Sequence, residues 1–214
     1  MPMSDADAYA ALRRDIVSGA LSPGERLVEE ELAERLGQSR GAIRAAILHL
    51  EHDGLVVRER NRGARVRRVT TQEALEILEA RAALESLAAG YAALRRTDAE
   101  AQELRDLTAD MARLHADGAL LAMSERNAVM HRRILEISGH HVARDICERL
   151  NSQIVRFQFR TVLAPGRAAA SLVEHAAIAD AIAAGERDAA EAAMRRHLTH
   201  VGGALLQVSS AEAA

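Results

Sequence analysis

The sequence predicts a mostly α protein in two parts: a small N-terminal domain mixing helices with a β-hairpin, then an all-α antiparallel six- to seven-helix bundle. Three observations predict this. Alanine, leucine, arginine and glutamate abound in a composition that is 49% hydrophobic and 28% charged but only 2% aromatic, a mixture of strong helix formers able to bury a core. Apolar residues recur at helical spacing except after Asp53-Gly54, where the periodicity changes to that of short strands. From Thr70 onward, glycines and capping residues divide the chain into helix-sized segments.

Asp5 or Asp7 can cap a first helix whose apolar stripe is Leu12, Ile16 and Val17 and which ends near Gly19. Leu21-Ser22-Pro23-Gly24 is a turn, with proline fixing φ and glycine free to take a positive φ. A second helix spans residues 28–36, with Leu32, Ala33 and Leu36 inward and Glu29, Glu30, Glu31 and Glu34 at the surface. Gly37-Gln38 breaks it, and Ser39 caps a third helix in which Ile43, Ile47 and Leu50 pack one side while Arg40 and Arg44 share another. Two helices joined by a short glycine-containing turn, with cations at the start of the second, form a helix-turn-helix whose second helix can enter a major groove. Residues 55–60 and 64–69 are expected strands around the turn Asn61-Arg62-Gly63, making residues 1–69 a winged helix-turn-helix domain with a basic wing. Arg58, Arg60, Arg65 and Arg67 would equally suit the solvated face of a small hairpin.

Residues 70–214 form the bundle. Thr70 with Glu73, and Thr97 with Glu100, fit capping boxes, while Gly118, Gly139, Pro165-Gly166 and Gly185 separate further segments. Helices are expected over 70–95, 97–116, 119–138, 141–163, 166–184 and 186–207, with Leu75, Leu78, Ala82 and Leu87 as core candidates and a disordered tail from Ser209.

Charge is distributed unevenly. Residues 1–39 carry four arginines against eight acids, residues 40–68 eight against three, and residues 69–214 sixteen against twenty. The net charges are −4, +5 and −4, so a basic island inside an acidic chain begins at the third helix, the footprint of a local polyanion contact. The single cysteine, Cys147, excludes an intrachain disulfide. No apolar run spans a bilayer and no secretory signal is present, so a cytoplasmic location without membrane attachment is expected.

Of nine histidines, His49, His52, His115, His140, His141 and His200 have no evident partner and suit surface or cap roles. Asn127 and His131 are four residues apart, on one helix face beside Met130 and Ile134, and His175 and His197 sit mid-helix among apolar residues. Three imidazoles and an amide oxygen from three helices could hold a divalent metal with open positions; buried histidines with purely structural roles have the same spacing. A metal-dependent hydrolase or lyase is a further alternative, with Glu174 as its only supported general base. The zinc-protease helix pattern is missing, and neighbours in a helix point about 100° apart, so Glu174 and His175 would diverge.

Taken together, the chain resembles a GntR-family transcription regulator of the FadR subgroup with an FCD-type effector domain. The likeness rests on Ser18 to Leu27, Glu31 to Gly37, Ser39 to Arg44, Leu50 to Val56 and Asn61 to Val66, then on Glu79 to Glu85, Asn127 to His131, Glu174 to Ile178 and Met194 to Leu198. It implies that Ser39, Arg40, Gly41 and Arg44 meet double-stranded DNA from the reading helix, and that Arg62 and Gly63 do so from the wing. It further implies a homodimer on a palindromic operator. One divalent ion of zinc, nickel or manganese type is implied at Asn127, His131, His175 and His197, with a small carboxylate effector completing its shell and Arg81 facing the same cavity. The alternative for Arg81 is an intrahelical pair with Glu85. Three departures from the family pattern stand out. Gly41-Ala42 replaces a hydroxyl residue followed by proline, Ala45 replaces a glutamate, and Asn127 stands where many members have aspartate.

Overall fold

The computed structural model describes the backbone of residues 5–59 and 63–213, with side chains described except at 5, 6, 155, 156, 158–160 and 211–213. Two compact units emerge, Met1–Thr70 with Asn151–Arg156, and Thr71–Leu150 with Phe157–Ala214.

In the first unit the elements are α1 (Asp5–Ser18), β1 (Arg26–Leu27), α2 (Glu29–Leu36), α3 (Arg40–His52), β2 (Val56–Glu59) and β3 (Gly63–Val66). Asp7 lies inside α1 rather than ahead of it. The helices bury Leu12, Ile16, Leu32, Ile43, Ile47 and Leu50 in one cluster with Leu21, Leu27, Leu55, Val56 and Val66, the apolar stripes that helical spacing marks out. Val17 and Leu36, expected inward, are only half-buried. Gly37, at φ 63°, ends α2 with a left-handed cap whose N–H reaches back to the α2 carbonyls, and this sets the short turn into α3.

β3 ends at Val66 rather than reaching residue 69 as expected, and residues 60–62, including Arg60 and Arg62, lie outside the described residues. A third strand was not foreseen. β1 pairs antiparallel with β3, giving sheet order β1-β3-β2 with Leu27 opposite Ala64 and Val56 opposite Val66. Gly24, at φ 84°, donates to the Val66 carbonyl at 2.8 Å and Val66 N–H donates to Glu25, so the Pro23-Gly24 turn delivers β1 to the sheet. Two residues offer no alternation from which a strand can be read.

The second unit contains α4 (Thr71–Arg95), α5 (Asp98–Ala116), α6 (Leu120–Ile137), most of α7 (His141–Val162), α8 (Arg167–Ala184) and α9 (Arg187–Ala213). Thr97 and Glu100 form the expected capping box at α5. The long helix α4 packs on α9, α6 and α8, and α8 also packs on α9 and α5. Small residues let α4 sit close: Ala74, Ala88, Ala89, Gly90, Ala92 and Ala93 are buried, and a Cβ at Gly90 would run into the Glu191 side chain of α9. The buried face therefore agrees only in part with the expected core candidates. Leu78 is in the core, but Leu75, Ala82 and Leu87 are half-buried while Arg81 and Glu85 are inside. The expected disorder from Ser209 is also corrected. α9 continues to Ala213, with the Thr71 hydroxyl donating to Ser209 Oγ at 3.3 Å, in keeping with alanine's helix propensity. No described helix is long and apolar enough to cross a membrane.

Candidate DNA-reading helix and histidine-lined cavity

Ser39 caps α3 as the sequence requires, its Oγ accepting from Ala42 N–H at 3.1 Å. Ala42, Ile43, Ala46, Ile47 and Leu50 anchor the helix to the core, which leaves Arg40, Gly41, Arg44 and Leu48 exposed along one outer strip. The two arginines are not bare. Arg44 donates from Nε and Nη2 to the Glu29 carboxylate of α2, with Nη2 to Oε2 at 2.7 Å, while Arg40 Nη1 lies 3.5 Å from Glu30. The hydrogen bond from Arg44 holds the Glu29 carboxyl below the usual range. Gly63 opens β3 at φ 80°, where a side chain would be strained, and is exposed. Behind it, Arg65 Nη1 donates to the Gly24 carbonyl and Arg58 lies 3.3 Å from Glu51, so part of the hairpin's basic face is tied into the domain.

In the helical unit the structure brings together every sequence-predicted cavity residue. His131 on α6, His175 on α8 and His197 on α9 are at most 5% exposed, and their ligand nitrogens lie within 4.8 Å of one another. Each ring is held from behind through Nδ1. His131 Nδ1 is 2.5 Å from Glu85 Oε2, His175 Nδ1 is 2.6 Å from the Ser171 carbonyl, and His197 Nδ1 is 2.7 Å from Glu174 Oε2. An Nδ1–H donating to oxygen leaves Nε2 with its lone pair. The Nε2 atoms of His131 and His175 nonetheless face each other at 3.2 Å. Imidazole nitrogens that ligate one ion at bonds of about 2.0–2.1 Å would lie at a comparable separation. Asn127 Oδ1 is buried without a hydrogen-bond partner, and Asn127 lines the same cavity as Arg81, His131, Arg167 and His197. An orphaned oxygen beside three oriented imidazoles fits a divalent cation.

Electrostatics keep His175 and His197 neutral, the form that ligates. Burial drives His175 well below its ordinary value, and burial takes His197 to about 4 despite its hydrogen bond with Glu174. Burial opposes ionisation of both carboxylates, yet Arg81 and His131 hold Glu85 at about 2, and hydrogen bonds with His197, Arg167 and His200 hold Glu174 at about 2. Arg81 gives Nε to Glu85 Oε1 at 2.8 Å, so the intrahelical pair exists while the same side chain lines the cavity. Among the described residues Arg81 makes no other hydrogen bond.

Glu85, Ser171, Glu174 and Arg167 act here in ways the sequence did not assign. Arg167 binds Glu174 with both terminal nitrogens, at 3.1 and 2.6 Å. His200, expected to lack a partner, binds Glu174 Oε1 at 2.8 Å. His140 does serve as a cap, its Nδ1 accepting from Ala143 N–H. Glu174, offered as a general base for an enzyme, is occupied by Arg167, His197 and His200.

Residues 5–66 match the family described as bacterial regulatory proteins, gntR family, and residues 76–200 match the FCD domain. The chain belongs to the GntR family and carries an FCD domain. It is thus a transcription regulator by family, not an enzyme. The HTH-type transcriptional repressor GlaR of Escherichia coli is 28% identical over 206 residues, covering 92% of this chain and 94% of GlaR. The HTH-type transcriptional regulator LutR of Bacillus subtilis is 28% identical over 207 residues, covering 87% and 94%. Among solved structures, E. coli McbR/YncC superposes with a TM-score of 0.81 at 21% identity, covering 97% of this chain and 99% of that one, a likeness of fold.

Proposed function

We propose that this GntR-family member is a ligand-responsive repressor that binds a palindromic operator as a homodimer and whose DNA affinity is set by a small carboxylate in the histidine-lined cavity. The exposed strip of α3 is the reading surface: Arg40 and Arg44 read bases, Ser39 and Gly41 lie at the phosphate-facing entry, and Gly63 with Arg62 reaches the adjacent groove from the wing. The repressor sense is supported by the likeness to the transcriptional repressor GlaR.

One observation carries the cavity assignment: all three imidazoles are held through Nδ1 and bring ligand nitrogens within 4.8 Å of one another, in a cavity that Asn127, its Oδ1 unpartnered, also lines. Asn127, His131, His175 and His197 would hold the ion. A divalent ion of zinc, nickel or manganese type supplies an electrophilic centre with positions open to a carboxylate. Glu85, the Ser171 carbonyl and Glu174 orient the rings, and Arg81 presents the terminal N–H groups that Glu85 leaves free to the ligand's carboxylate. Asn127 contributes a neutral oxygen, a weaker cation ligand than a carboxylate. The ligand acts by unequal affinity for two arrangements of the dimer.

The test is metal stripping followed by titration. Zinc, nickel or manganese should bind once per chain and raise the melting temperature in wild type but not in His131→Ala. A melting temperature indifferent to chelator and to added ions, with no metal in the purified protein, would instead make the histidines structural.

A further inference from the structure

We infer that Glu29 is a positioning residue for DNA reading: its carboxylate clasps the side-on edge of the Arg44 guanidinium, so that Arg44 meets a base with its Nη1/Nη2 end. This rests on the assignment of Arg44 to the reading surface made above. Glu29 takes Arg44 Nε at 3.1 and 3.2 Å and Nη2 at 2.7 Å, and Nη1 makes no hydrogen bond among the described residues. Nε and Nη2 form one fork of the planar group. The end-on fork, one N–H from each terminal nitrogen, stays free, and that fork matches O6 and N7 of guanine in the major groove.

Position supports the role. Glu29 stands in the first turn of α2 and its side chain is 28% exposed, whereas that of Arg44 is 60% exposed, so the carboxylate sits on the domain side and the guanidinium on the solvent side. Within α3 the residue after Arg44 is Ala45, which offers no polar atom, so the orienting group comes from the neighbouring helix. Holding a long side chain in its reading pose before contact removes part of the ordering cost of binding. A carboxylate at the same surface is also repelled by phosphates, which weakens sequence-independent binding. Both effects raise discrimination. Glu30 contrasts with it: 76% exposed and at a single 3.5 Å contact with Arg40, it has the charge without the clasp.

The experiment uses the full chain. A preferred duplex is selected from random sequence with wild type, and dissociation constants are then measured for that duplex, its single-base variants and a scrambled duplex. Glu29→Gln should lower the preference for the selected duplex about tenfold, with the loss centred on one guanine, while scrambled DNA is bound as tightly or more tightly. Glu29→Asp keeps the charge but retracts the carboxylate; it should lose discrimination without tightening on scrambled DNA. Glu30→Gln should keep the preference within about twofold. Unchanged preference in both Glu29 variants, or equal tightening of Glu29→Gln and Glu30→Gln on every duplex, overturns the inference. Arg44→Ala separates the two levels. If it loses discrimination while the Glu29 variants keep it, only the role of Glu29 fails; if it keeps discrimination, the reading of α3 fails with it.

Discussion

Replacing Glu85 by glutamine should destabilise the helical unit far more than a typical single substitution. Glu85 is 1% and Arg81 4% exposed by side chain, so the pair is not screened by solvent. The carboxylate accepts from Arg81 Nε at 2.8 Å and pairs with His131 Nδ1 at 2.5 Å. Glutamine has one acceptor oxygen for these two donors, and its amide N–H groups would face one of them. The larger loss is electrostatic, because Arg81 would remain charged and buried without a counter-ion. Breaking a buried pair from one side costs about 3–5 kcal/mol. A domain of this size shifts by about 2–4 °C per kcal/mol, so the melting temperature should fall by roughly 6–20 °C. Thermal and urea unfolding followed by circular dichroism measure this. The double substitution Arg81→Met with Glu85→Leu removes both charges and should recover most of the loss, leaving the unpaired His131 N–H at about 1–3 kcal/mol. Divalent-ion affinity of Glu85→Gln should also drop about 10- to 100-fold as the His131 ring loses its orienting partner. A loss below about 1 kcal/mol, with ion affinity intact, would refute the view that Glu85 anchors both Arg81 and the His131 ring.

Three smaller perturbations follow from the winged unit. Arg44→Ala should weaken operator binding and lower the slope of log affinity against log salt by about one, read by fluorescence anisotropy over several salt concentrations; an unchanged slope and affinity contradict the placement of Arg44 at DNA. Ser39→Ala removes the cap accepted from Ala42 N–H and should cost about 1 kcal/mol in urea unfolding, with a loss under a few tenths counting against the cap. Gly37→Ala should cost about 1–2 kcal/mol through backbone strain alone, since φ is 63° and a Cβ there would meet nothing within 4 Å; a neutral result would contradict the left-handed cap.

Much of this molecule is legible in its sequence because the signals are local. Ser39 and Thr97 announce their caps, Gly37, Gly139 and Gly185 their breaks, and Ile43, Ile47 and Leu50 their common face. What escaped depends on neighbours. β1 exists because the Gly24 turn brings Arg26 and Leu27 beside β3, a pairing no two-residue stretch encodes by itself. The core face of α4 is built largely of alanines, with the Arg81–Glu85 pair inside, so of the candidates Leu75, Leu78, Ala82 and Leu87 only Leu78 is fully buried. For the cavity, spacing located Asn127, His131, His175 and His197 on their helices, and the family resemblance indicated that they converge. Their outer partners could not be found that way: Glu174 holds His197, 23 positions away, rather than its neighbour His175. Likewise, nothing in the order of residues links Glu29 to Arg44.

The measurement that bears most directly on ligand-responsive regulation is the affinity of the protein for its selected operator duplex, titrated with small carboxylates in the presence of a divalent ion, in wild type and in His175→Ala. At least one carboxylate should change the wild-type dissociation constant by about 5- to 150-fold, with no such change in His175→Ala or in chelator. An equal response in wild type, His175→Ala and chelator, or an operator affinity indifferent to every carboxylate while the ion is bound, would contradict it.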